Sequence, residues 1–183
     1  MIGKHQCQSA RDTDLKRAIF IGLDEAFTAL EEAFDDLTDE QARAFPLAGR
    51  NNIAWIVMTT LQNFDEYANG AQVGQLTFPH EWRWDLWNCK PEERPQPSDA
   101  FPAVAEMLAL LGRIREAAMA NLDSAGEDDL RGKRACGDRW PGTTADAYMR
   151  TIHHALAHIR QIWLLRGVMG LTDATAWPRQ HWA

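Results

Sequence analysis

The chain has 183 residues, a formal net charge of −7, 45% apolar residues and 25% charged ones. That size supports one domain, residues 1–183, with a core needing no disulfide staples, and an acidic balance without a lysine and arginine block argues against nucleic acid as a partner. The opening Met1 to Ala10 shows no secretory h-region, the longest apolar run (Ile53 to Met58) is too short for a bilayer, and Cys7, Cys89 and Cys136 form no framework, so a cytoplasmic protein without a membrane partner is expected.

Four long segments carry helical periodicity. The first runs from about 13 to 37, where Leu15, Ile19, Leu23, Phe27, Leu30, Phe34 and Leu37 recur every three or four residues and mark one buried stripe. Thr38 and Gln41 have capping-box spacing and open a short turn that Pro46 and Gly49 close. A second helix spans about 51–69, capped by Asn51 or Asn52 and stopped at Asn69-Gly70. From 71 to 97 the pattern disappears among Pro79, Pro91, Pro95 and Pro97, with Trp82, Trp84 and Trp87 between them. A third helix over about 98–124 takes Ser98 as cap and turns Phe101, Val104, Leu108, Leu111, Ile114, Ala118 and Leu122 inward. Residues 127–142 read as a polar, irregular connection, and Asp123, Glu127, Asp128 and Asp129 as a solvated turn. Thr143 and Asp146 then open a fourth helix over about 143–169, ending at Gly167 or Gly170. No segment reads as a strand. The expected architecture is all-α, a four-helix bundle with long irregular crossover connections after helices two and three.

The fourth helix holds the one pattern that reads as chemistry. His154 and His158 are four residues apart, hence neighbours on one helix face, and two imidazoles so placed reach a single divalent ion. Zinc takes three or four protein ligands, so the pair needs a third. Ile152, Leu156, Ile159 and Trp163 are expected to face the core, which puts the histidines at the border of the buried face. His153 points elsewhere and does not share a metal with them. Half-buried, hydrogen-bonded histidines are the alternative reading of the pair. Arg166, in the last turn, serves either the helix dipole or an anionic ligand group. No G-x-S-x-G, G-x-G-x-x-G or P-loop occurs.

The run H-x-x-x-H-x-x-Q over His154, His158 and Gln161, followed by Arg166 and Gly167, resembles the DinB-like (YfiT-type) superfamily. Asn52-Ile-Ala-Trp-Ile-Val-Met58 is similar to that family's entry into its first metal-ligand helix, and the likeness extends from Thr13 to Gly170. The resemblance implies a bundle holding a divalent metal, zinc or nickel, on three histidines, and in some relatives a low-molecular-weight thiol activated for transfer or isomerisation. On that pattern His154 and His158 are metal ligands, and Gln161 and Arg166 candidate cofactor-binding residues.

The chain departs from the pattern at its decisive point. Four residues on from Trp55 stands Thr59, and no histidine occurs between Asn51 and Gly70. A threonine hydroxyl stays protonated and ligates zinc poorly. Gln62, Asn63 and Glu66 share that helix, with Glu66 about 10 Å along the axis from Thr59. His80 and His181 are further candidates without a spacing argument. A two-histidine site binds zinc weakly, and from an ordinary imidazole pKa its affinity falls below pH 6. The favoured expectation is a bundle with a degenerate metal site that binds a small ligand or a partner; the alternative is a metal-dependent thiol transferase or isomerase acting on a small electrophile. Trp82, Trp84 and Trp87 either roof the histidine pocket or form a homodimer contact.

Overall fold

The computed structural model describes residues 14–70, 77, 100–135 and 141–171. The connection 71–97 apart from Thr77, the Ser98 cap, His80, the three tryptophans, the cysteines and the tail with His181 lie outside the described residues. The elements are α1 (Asp14–Phe34), α2 (Asp39–Arg43), α3 (Ile53–Phe64) continuing into a π-helical turn (Asp65–Gly70), α4 (Val104–Ser124), α5 (Glu127–Arg131), β1 (Lys133–Ala135), β2 (Pro141–Thr143) and α6 (Thr144–Val168). The chain is an all-α four-helix bundle of α1, α3, α4 and α6.

Local chemistry sets the helix starts. Thr38 accepts from the Gln41 N–H while Gln41 Oε1 accepts from the Thr38 N–H, closing the first capping box. Asn52 Oδ1 accepts from the Trp55 N–H at 2.9 Å and its amide donates to the Arg43 carbonyl, so one side chain caps α3 and ties it to α2. Thr143 and Asp146 cap α6 reciprocally. Gly170, at φ +69°, takes the left-handed conformation that ends α6, and the Leu171 N–H returns to the Arg166 carbonyl.

Each helix packs on two others: α1 and α3 both lie against α4 and α6. Polar ties fix the directions. Lys16 Nζ donates to the Asp123 carbonyl and Arg115 pairs with Asp24, so α1 and α4 run antiparallel. Arg166 reaches the Ala33 carbonyl and Asp36, and Gly22 lies against Ile152, so α1 and α6 run parallel, with Gly22 admitting the close approach. Asn121 bonds Asn69 and Ala68, so α3 and α4 are parallel. Tyr67 packs with Ala147, which makes α3 and α6 antiparallel. The sense is up, down, down, up. Across the bundle Phe27 and Phe64 stack with ring centroids 4.2 Å apart.

Several sequence expectations need correction. The third helix begins at Val104, so Phe101 does not belong to it; Phe101 is buried in the approach, where its carbonyl accepts from Arg43. Ala103 offers no side-chain cap, and Asp39 Oδ1 supplies the acceptor for the Val104 N–H from α2. The 127–142 connection holds a short helix and an antiparallel β1–β2 pair, with Lys133 opposite Thr143 and Ala135 opposite Pro141. It joins antiparallel helices, so only the connection after α3 crosses over. On α6 the core face is Thr151, Ile152, Ala155, Ile159, Ile162, Leu165 and Arg166, whereas Leu156 is 40% exposed.

Candidate functional site

The antiparallel contact of α3 with α6 brings the candidate residues together. Tyr67 lies against Ala147, and the Arg150 guanidinium stands over the Tyr67 ring, 5.1 Å from its centroid. From this anchor both helices advance about 1.5 Å per residue in opposite chain directions. Asn63 therefore falls level with Thr151, and Thr59 level with His154 and Ala155. On α6, Ala147, Thr151, His154 and His158 share the face turned to α3.

The two imidazoles meet edge to face, ring centroids 4.4 Å apart and planes inclined at 61°. His154 Nε2 is buried without a hydrogen-bond partner among the described residues. His158 Nδ1 lies 3.4 Å from Gln161 Oε1. An amide oxygen accepts only, so this contact favours the proton on Nδ1 and leaves Nε2 with its lone pair. Burial, then the charges of His158 and Arg150, push the His154 pKa down to about 4. Burial lowers that of His158 also, against the opposing contact with Gln161. Both rings are thus neutral at pH 7, and the expected change near pH 6 moves lower, because a buried imidazole resists charging.

The implied metal can be tested against these donors. Two neutral imidazoles suit a divalent ion. The third position holds Thr59, half-buried on α3, whose hydroxyl stays protonated. Glu66 is exposed and shares the level of Tyr67, about 10 Å of helix from that of His154. Among the described residues no group of three His, Cys, Asp or Glu comes together to hold a metal. Among the described residues, two imidazoles and a threonine hydroxyl fall short of the donors a resident three-ligand ion needs.

Arg166 sits elsewhere. The residue is 3% exposed, and its guanidinium forks onto Asp36 at 2.5 and 2.8 Å, donates to the Ala33 carbonyl and stacks over Trp163 at 4.9 Å. Twelve residues of helix separate it from His154, about 18 Å along the axis. It locks α6 to α1, while Gln161 stays beside His158. Two neighbours of the site escaped attention in the sequence: Thr151, 1% exposed with its Oγ1 unpartnered, and Arg150, whose charge His154 senses. Both stand three or four residues before His154, the spacing that puts side chains on one helix face.

A second polar group occupies the π-helical turn. Asp65, fully buried, accepts from Asn69 Nδ2 at 2.9 Å and from the Thr77 N–H at 2.7 Å, and Asn69 in turn binds Asn121. It fastens the chain where it leaves the bundle. Among the described residues, no helix is long and apolar enough to cross a membrane.

Comparison with known proteins agrees with this architecture. A solved structure described as the conserved protein of a locus from Enterococcus faecalis superposes with a TM-score of 0.68 at 18% identity, covering 87% of this chain and 99% of that one. At that identity the likeness shows the fold. No curated protein matches the sequence. The model of the DinB superfamily matches residues 23–162, more than half of the chain, and the protein belongs to that superfamily.

Proposed function

We propose that the α3–α6 interface around His154 and His158 is a small-ligand site that works without a tightly held metal. The observation that carries this reading is the pairing of two neutral imidazoles, 4.4 Å apart, with a threonine at the level where a third strong ligand would stand. Neutral imidazoles donate and accept hydrogen bonds, and the partly buried setting strengthens both. The test is metal content by elemental mass spectrometry on full-length, untagged protein, before and after excess zinc at pH 7.5. Zinc well below one equivalent after gel filtration, with the residue lost in His154→Ala, is expected. One retained zinc or nickel per chain would overturn the reading.

The contact of Gln161 with His158 favours a second reading. A ring nitrogen held by an amide oxygen while the other keeps its lone pair is the arrangement of a metal-ligating histidine. On this reading the protein is a metal-dependent thiol transferase or isomerase for a small electrophile. Retained metal that disappears in His158→Ala and falls in Gln161→Ala would support it.

A further inference from the structure

Among the buried polar atoms without a hydrogen-bond partner in the described residues are three that the helix register brings to one level of the α3–α6 interface: Asn63 Oδ1, Thr151 Oγ1 and His154 Nε2. They come from two helices and three residue types, and the register anchored by Tyr67 and Ala147 sets them within about one helical turn of each other. A buried polar atom left unmatched is costly, and native proteins rarely tolerate several at one level of a core. Thr151 is 1% exposed and lies on the α6 face shared with His154. Thr60 and Asp65 nearby are engaged elsewhere: Thr60 donates to the Ile56 carbonyl, and Asp65 accepts from the Asn69 amide and the Thr77 N–H.

The character of these atoms limits what satisfies them. Asn and Thr carry no charge at any ordinary pH, and at pH 7.5 an imidazole is above its ordinary pKa. Arg150, the cation next to His154 on α6, stands over Tyr67. Among the described residues no carboxylate joins the three atoms: Asp65 is held in its own network and Glu66 is exposed. A cation would enter without an anion to meet it, at a large desolvation cost, and an anion would meet only the Arg150 guanidinium, which is engaged over the Tyr67 ring. An alcohol brings one hydroxyl to three atoms. A carboxamide brings a carbonyl acceptor and two N–H donors in one small uncharged group.

We propose that Asn63, Thr151 and His154 together bind an uncharged ligand group of the primary-amide class between α3 and α6. This rests on the small-ligand reading of the site and adds two binding residues and a charge class to it.

The test uses three probes of nearly equal size and different charge: acetamide, acetate and methylammonium. Each is titrated into full-length, metal-free protein at pH 7.5 while the imidazole 1H–15N correlation of His154, assigned with His154→Gln, is followed. Acetamide is expected to shift the His154 Nε2 resonance saturably, at least tenfold more tightly than either ion. Thr151→Val, which keeps the volume, should weaken acetamide about tenfold, the loss of one hydrogen bond, and Thr151→Ser should restore it. Circular dichroism checks that both variants fold. Tighter binding of acetate or methylammonium, no saturable shift with any probe, or an unchanged Thr151→Val would overturn the proposal. Saturable acetate binding that Thr151→Val weakens would remove the amide class and leave the small-ligand reading standing. Retained stoichiometric metal would remove that reading whatever acetamide does.

Discussion

Protonating His154 brings a charge into the α3–α6 interface, and this sets the direction of the response to acid. The unfolded imidazole takes up its proton near pH 6.5, the folded one near pH 4. Between those values the unfolded chain holds more protons, so stability is fully present above about pH 6.5 and falls as pH drops toward 4. Because the ring is partly open to solvent, the loss is at most about 2 kcal/mol. Urea midpoints measured across this window should decline in the wild type and flatten in His154→Gln. Asp36 acts in a lower window. The Arg166 hydrogen bond holds its carboxyl below the ordinary carboxylate value, so its contribution is present above about pH 3.8 and lost as pH falls further.

Helix ends carry the next predictions. Thr143 supplies the α6 cap, and Asp146 accepts from both its N–H and its hydroxyl at 2.8 Å, which keeps that carboxyl below its usual pKa. Thr143→Ala is expected to cost about 1 kcal/mol in chemical denaturation, and adding Asp146→Ala less than a second full increment, since the two share one box. Asp39→Ala should loosen the first turn of α4, because its carboxylate caps the Val104 N–H; amide exchange of Val104 would report this. The Thr38, Asn52 and Thr143 caps were legible in the sequence because a cap is a local event, a short polar side chain meeting a backbone group three residues on. The start of α4 was not, since its acceptor comes from α2, 65 positions away. The core face of α6 was misplaced for a related reason. Thr151, Ala155 and Arg166 line it and give no apolar signal, while exposed Leu156 gives a false one. His154 and His158 were legible as a pair by spacing alone, but Asn63 and Thr151 join them only through the register of two helices.

At the scale of the whole bundle, the parallel α1–α6 pair is held at one pole by Arg166. Asp36→Ala leaves that guanidinium buried with the Ala33 carbonyl as an acceptor but without its carboxylate, and should cost about 1–3 kcal/mol, read from the urea midpoint. Ligand binding at His154 should not change, because Arg166 lies about 18 Å along the helix from it. Phe64→Ala, which removes one ring of the stack with Phe27 across the core, should cost about 3–5 kcal/mol.

The same parallel pairing has a mechanical consequence. With α1 and α6 running in one direction, the first residue of α1 and the last of α6 stand at opposite poles, a separation comparable to the roughly 32 Å length of α1. A pulling force applied between them loads the α1–α6 seam along its length, so the Gly22–Ile152 contact and the Arg166–Asp36 fork bear it together. Force applied between the start of α1 and the end of α4 acts at one pole, where Lys16 meets Asp123, and peels those helices apart one contact at a time. In an optical trap the first geometry should rupture at the higher force, and Asp36→Ala should lower that force while leaving the peeling geometry nearly unchanged.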